Sequence, residues 1–212
     1  MTEDIDLKKI EKKTWRSYFE DGILEIYMGS LYMGVGIASS FIDVAPFSFF
    51  HLLGYLIVIC GLIFFIGGKK FITYPRVGKI KFGRKRKVRK LTTLFILSIN
   101  FVILLIIYIF NLITPPGQSL FPAWFNSLIV GFLFTTIPIS LVAYFLDFPR
   151  FYIIAVQFGI TFFLIELFSL FISEPFNLIL VFAINGSIMI GMGSYFLIKF
   201  LKKYPLVRKE EE

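Results

Sequence analysis

The chain has 212 residues, 57% of them apolar and 19% aromatic, with 22 Lys and Arg against 14 Asp and Glu for a net charge of +8. A mean hydropathy of +0.81 excludes a water-soluble globular domain and points to a membrane protein. The single Cys60 excludes an intramolecular disulfide, and with only one histidine the chain offers little for a metal cluster.

In chain order, the stretch from Thr2 to Phe19 places Leu7, Ile10, Thr14 and Tyr18 on one helical face and most of its cations elsewhere, the pattern of a basic amphipathic helix in the membrane interface. It is too polar for a cleavable signal peptide, so the first span is expected to act as an uncleaved anchor. Apolar runs follow at Ile23 to Ile42, Phe47 to Gly67, Leu91 to Ile113, Trp124 to Leu146, Phe151 to Ile172 and Phe176 to Phe200. Each is near the roughly 20 residues that cross about 30 Å of hydrocarbon. Runs this long without strand-like alternation satisfy their backbone groups as helices rather than as a barrel. The expected fold class is all-α, an integral bundle of six transmembrane helices. It comprises a cytoplasmic segment at 1–22, hairpins at 23–67, 91–146 and 151–200, a basic loop at 68–90 and a tail at 201–212. Cys60, mid-span, reads as a small core residue.

Threaded this way, every Lys and Arg falls on one side of the membrane, in clusters at Lys8–Arg16, Lys69–Lys90, Arg150 and Lys199–Lys209. Cationic flanks of short loops stay cytoplasmic, which puts both termini inside. The largest cluster interleaves cations with apolar groups at Ile80-Lys81-Phe82-Gly83-Arg84-Lys85-Arg86-Lys87. Anionic lipid of the inner leaflet is the partner that this charge implies, at about 1 kcal/mol per basic residue near the surface. A protein partner or a second copy of the chain is the other candidate; nucleic acid would be attracted by the same charge but is given little weight.

Three expected cytoplasmic exits share one chemistry: Tyr74-Pro75-Arg76, Phe148-Pro149-Arg150 and Tyr204-Pro205. Aromatic rings suit the headgroup level, proline ends a helix for want of an amide donor, and the cation can reach a lipid phosphate. Tyr74, Pro75, Arg76, Lys79, Arg84, Arg86 and Arg150 are therefore candidate lipid or partner contacts. The outer connections at Asp43–Phe47, Pro115–Pro122 and Glu174–Phe176 also resemble one another, so the hairpins read either as tandem repeats or as independent uses of interfacial residues.

Gly29-Ser30-x-x-x-Gly34-x-Gly36 matches Gly186-Ser187-x-x-x-Gly191-x-Gly193 at every small position. Small residues four apart allow close backbone approach in lipid, so the first and sixth helices are expected to touch through Gly29, Ser30, Gly34, Gly186, Ser187 and Gly191. Loosening of these helices for a gating motion is the functional alternative.

Glu166 is the one acid well inside a span, and an intramembrane carboxylate marks a site or a partner. His51 is its match in depth, and a pair of them could carry a proton near neutral pH; the alternative is a hydrogen-bonded Glu166 in a helix contact and an interfacial His51. Asn100, Gln157 and Asn185 either bridge helices or line a polar path. Thr135-Thr136-Ile137-Pro138 should kink the fourth span, with the hydroxyls accommodating displaced backbone groups. Glu20, Asp21 and Glu25 either pair with Arg76 or Arg150 or serve helix N-terminal electrostatics.

Phosphate-binding glycine loops, zinc helices, nucleophile elbows and acidic magnesium pairs are absent from the sequence, so no cofactor and no catalytic residue is assigned. Asp21-Gly22, the run Thr73-Tyr74-Pro75-Arg76-Val77-Gly78-Lys79-Ile80-Lys81-Phe82, Phe148-Pro149-Arg150-Phe151-Tyr152 and Lys199-Phe200-Leu201-Lys202-Lys203-Tyr204-Pro205 resemble a group of small prokaryotic polytopic membrane proteins of uncharacterised activity. That resemblance covers nearly the whole chain. It implies the span count and the weight of the Tyr-Pro-Arg loop, and carries no activity or ligand. The expected role is a non-enzymatic binding or scaffold component in a cytoplasmic membrane, against a small-molecule or ion transporter with a polar path near Glu166.

Overall fold

The computed structural model describes residues 15–40, 49–78, 84–113 and 123–206. The stretch expected to be an amphipathic helix before Trp15, the connections at 41–48 and 114–122, and residues 79–83 lie outside the described residues. Among the described residues the chain is helical and holds no strand. We label Ile23–Ser39 as α1, Phe49–Val77 as α2, Arg84–Ile113 as α3, 123–145 as α4, Phe151–Ser169 as α5 and Phe176–Lys203 as α6.

Four of these, α2, α5, α6 and the Ser127–Phe145 part of α4, are long and apolar enough to cross a membrane. Their outward faces are what lipid requires: on α2, Leu52 is 60% and Ile63 64% exposed, in helices whose ladders keep the backbone satisfied. The other two are shorter as apolar elements. With 17 residues α1 is about 26 Å long, and the described apolar stretch of α3 is Leu91–Asn100.

The structure divides into two compact units, Met1–Ile80 with Phe182–Glu212, and Lys81–Val181. In the first, α1 packs against both α2 and α6, and glycines set the contacts at a spacing of seven. A Cβ on Gly29 would fall 2.7 Å from the Gly186 carbonyl oxygen; one on Gly22 would collide with the Gly193 carbonyl, and one on Gly36 with the Phe182 ring. On the side of α1 toward α2, a Cβ on Gly54 would lie 2.8 Å from the Ala38 Cβ, one on Gly61 2.8 Å from the Ser30 Cβ, and one on Gly68 3.0 Å from Ile23. A seven-residue repeat keeps one seam facing its partner over several turns, which a four-residue spacing does not.

This corrects the small-residue expectation at four residues: Ser30 faces Gly61 of α2, Ser187 is exposed, and Gly34 and Gly191 depart as well. Gly34 faces Gly54 of α2, not α6, and Gly191 is exposed with nothing within 4 Å of a Cβ built on it. Because the glycine seam at Gly54, Gly61 and Gly68 faces α1, Cys60 is turned outward and is exposed rather than in the core.

The prolines are handled differently from expectation. The second span does not stop at Gly67: α2 continues through Pro75 to Val77, so Lys69 belongs to a helix and not to a loop. It does so by way of a π-helical turn at Lys69–Thr73, and α4 repeats the device with a π turn at Phe132–Thr136 ahead of Pro138. A proline ring clashes with the carbonyl four residues back and donates no N–H; a widened turn just before it relieves the crowding and lets the helix pass. In the second unit, Asn100 of α3 donates from Nδ2 to the carbonyl of Phe134, four residues before Pro138, at 3.1 Å. Thr136 Oγ1 donates to the Ala155 carbonyl of α5 at 3.2 Å, where Gly131 and Gly159 bring the two backbones together.

Pro149, by contrast, follows a true helix end. Asp147 takes a left-handed conformation at φ 55°, Phe148 N donates to Ala143 O at 3.0 Å, and Asp147 N to Tyr144 O at 3.1 Å. These are the paired bonds of a Schellman cap. Arg89 of α3 holds the Asp147 carboxylate at 3.1 Å.

Candidate functional site

At one end of the first unit, the residues ahead of α1 fold against the last turns of α2 and α6. Gly22, at φ 70°, makes the turn into α1, and its left-handed backbone and contact with Gly193 both demand glycine. That turn buries Asp21 completely and aims its carboxylate at α2. Asp21 Oδ2 accepts hydrogen bonds from Lys69 Nζ at 2.7 Å and from Thr73 Oγ1 at 2.5 Å, while Oδ1 accepts from Ile23 N at 3.2 Å. The carboxylate thus binds both the first backbone N–H of α1 and the π turn of α2, whose first and last residues are Lys69 and Thr73.

Lys69 is as enclosed as its partner, with side chains 5% and 0% exposed. Its ammonium also donates to the Tyr18 carbonyl at 2.7 Å and sits 4.4 Å from the Tyr18 ring centroid. Glu25, one turn along α1 and fully buried, adds to the negative field at Lys69. Tyr18 and Tyr74 join hydroxyls at 3.0 Å. Burial first, then that hydrogen bond, raises the Tyr18 phenol above its ordinary pKa. Removing one member of a buried pair of this kind costs about 3–5 kcal/mol, because the other is left charged and unsolvated.

A second, exposed layer lies outside it. Lys203 Nζ, at the end of α6, donates to Glu20 Oε2 at 2.7 Å, and Tyr204 OH reaches the same oxygen at 3.5 Å. The three acids here are thus turned inward or engaged. Around them Arg16, Lys70, Lys199 and Lys202 are exposed and Arg76 half-exposed. Among the described residues none of these five cations has a carboxylate partner, and Arg76 donates from Nη1 to its own helix, at the Ile72 carbonyl.

Of the two readings of the acids, Asp21 serves the N-terminus of α1 through Ile23 N and pairs with Lys69 rather than Arg76, and Glu20 pairs with Lys203. The candidate contacts fall on several elements and divide between the two units. Tyr74 belongs to the buried cluster, Pro75 lies within α2, and Lys79 is outside the described residues. Arg84 and Arg86 stand in the first turn of α3, and Arg150 at the start of α5, its guanidinium 5.1 Å from the Phe148 ring centroid.

The polar residues of the apolar helices also divide between the units, His51 and Asn185 in the first and Asn100, Gln157 and Glu166 in the second. His51 is buried and lines a cavity of about 230 Å³ with Gly34, Val35, Ala38, Ser39 and Tyr55 in the first unit, whereas Glu166 belongs to the second. Asn185 is buried on α6, and Asn100 is engaged by Phe134. Gln157 and Glu166 share α5 but stand nine residues apart, two and a half turns along it and on opposite faces. Ser187, like Gly191, lies off the Gly186 and Gly193 contacts with α1.

The sequence reading missed Lys69 and Thr73. The signal was available: a lysine directly after the glycine that closes an apolar run, followed by Thr-x-Pro. So was the seven-residue spacing of Gly54, Gly61 and Gly68.

Fold and site together define a helical membrane protein whose first unit closes at one end over a buried ion pair and carries cations outside it. No protein-family model matches the chain, and neither does any of the curated proteins or solved structures compared with it.

Proposed function

We propose that the chain is a six-span bundle of a prokaryotic cytoplasmic membrane, with both termini inside, acting as a non-enzymatic binding or scaffold component whose basic cytoplasmic face engages anionic lipid. The observation that carries this reading is the separation of charge at the end of the first unit. Asp21 and Glu25 are 0% exposed and Glu20 is bound to Lys203, while Arg16, Lys70, Arg76, Lys199 and Lys202 keep no carboxylate partner among the described residues. That end therefore presents net positive charge at the depth where lipid phosphates lie. A protein partner with an acidic face would be drawn by the same charge, but the apolar flanks of α2 and α6 favour lipid.

The glycine seams support a close-packed first unit, and the opposite facing of Gln157 and Glu166 on α5 argues against a shared polar path through that helix. The test is retention of phosphatidylglycerol against phosphatidylcholine by the purified protein, read by native mass spectrometry. The wild type should hold phosphatidylglycerol preferentially, and Lys70→Gln with Lys202→Gln should reduce that preference. Equal retention of the two lipids would remove the reading, and proton-coupled solute uptake lost in Glu166→Gln would replace it with transport.

A further inference from the structure

We propose that Glu20 is an internal stand-in for a lipid phosphate, seated in an anion site formed by Lys203 and Tyr204, and that anionic phospholipid displaces it. This rests on the lipid-binding reading above and adds a particular seat and a competitor built into the chain. The geometry that carries it is convergence: Lys203 Nζ and Tyr204 OH both donate to one oxygen, Glu20 Oε2, at 2.7 and 3.5 Å. The ammonium also lies 5.0 Å from the Tyr204 ring centroid, so the two donors are neighbours on adjacent residues as well as through Glu20. A phosphodiester presents non-bridging oxygens with the same acceptor chemistry as a carboxylate.

The two carboxylates of this end differ in whether they can leave. Asp21 is fully enclosed, with three donors on it, and no ligand can take its place. Glu20 is 38% exposed and its Lys203 partner 52%, and an exposed pair of this kind is weak in water. The surroundings select a lipid over a free anion. Lys199 and Lys202 add charge on the last turns of α6, where Ile198, and Leu206 just beyond the helix, are 55% and 58% exposed and offer apolar surface to an acyl chain.

The experiment titrates the full-length protein in detergent micelles with short-chain phosphatidylglycerol, phosphatidylcholine and inorganic phosphate, reading bound lipid by native mass spectrometry. Glu20→Gln should tighten phosphatidylglycerol about fivefold, the gain expected for one unit of charge at the surface, and move phosphatidylcholine less, because its choline cation offsets the phosphate. Lys203→Gln should weaken phosphatidylglycerol, and the gain from Glu20→Gln should vanish in the double variant. Tyr204→Phe should give a smaller loss. Phosphatidylglycerol affinity that is the same in wild type and Glu20→Gln overturns the proposal, as does inorganic phosphate displacing the lipid at equal concentration. A wild type that prefers phosphatidylglycerol but is unmoved by Glu20→Gln removes the Glu20 assignment alone; a wild type with no preference removes the lipid reading as well.

Discussion

Lys69 Nζ lies 2.7 Å from Asp21 Oδ2 across 48 residues of sequence, with both side chains buried. The bond ties the entry of α1 to the π turn of α2, and Thr73 doubles it from the far end of the same turn. Lys69→Met should lower unfolding free energy by about 3–5 kcal/mol, measured by equilibrium unfolding in mixed micelles, because Asp21 is left buried and charged. Pairing it with Asp21→Leu should recover a large part of that loss. A double-variant loss equal to the sum of the two single losses would show that the two residues act separately.

The glycines separate by position. Gly29→Ala should destabilise by about 1–3 kcal/mol, since its Cβ must enter the 2.7 Å space before the Gly186 carbonyl. Gly191→Ala has open space around it and should be neutral or stabilising by up to about 1 kcal/mol, the ordinary helix preference for alanine. Unfolding in the same micelles ranks the two; a Gly191→Ala loss as large as that of Gly29→Ala would show that the seam lies elsewhere.

Asn100 supplies the donor that Pro138 withholds from the Phe134 carbonyl. Asn100→Leu should therefore cost about 0.6–2 kcal/mol in the wild-type background. In a Pro138→Ala background, where the helix regains its own N–H, the cost should fall toward zero. A double-mutant cycle reads this coupling, and strict additivity would refute it.

The Tyr18 phenol has a pKa raised by burial and by Tyr74, so the folded state keeps a proton that the unfolded state gives up above its ordinary value near 10. The folded protein then binds more protons than the unfolded one, and stability is fully present below pH of about 10 and falls as pH rises beyond it. Tyr18→Phe should flatten that alkaline slope. Absorbance titration of the phenolates, compared between wild type and Tyr18→Phe, should assign a late-titrating group to Tyr18.

The sequence by itself determined the solvent and the secondary structure. Apolar runs of span length, with no internal water to serve their backbones, can only be helices, and that follows from composition without any knowledge of neighbours. It also determined that the first and sixth helices carry matched small residues, because close approach in lipid needs them wherever they meet. Which glycines meet was decided by tertiary structure. Motifs at four-residue spacing describe one turn of one helix, whereas the operative spacing of seven in Gly22-Gly29-Gly36 and Gly54-Gly61-Gly68 depends on how partner helices run alongside over several turns. Proline was legible as a disruption but not in its outcome: the helix passes Pro75 and Pro138 because a π turn, and for Pro138 a donor from Asn100 on another helix, offset what the ring removes, while at Pro149 a Schellman cap has already ended it. The charge count gave a cationic surface, yet only packing could place Lys69 inside, since the energy of a buried lysine is set by a carboxylate that approaches from the far side of α1's entry turn.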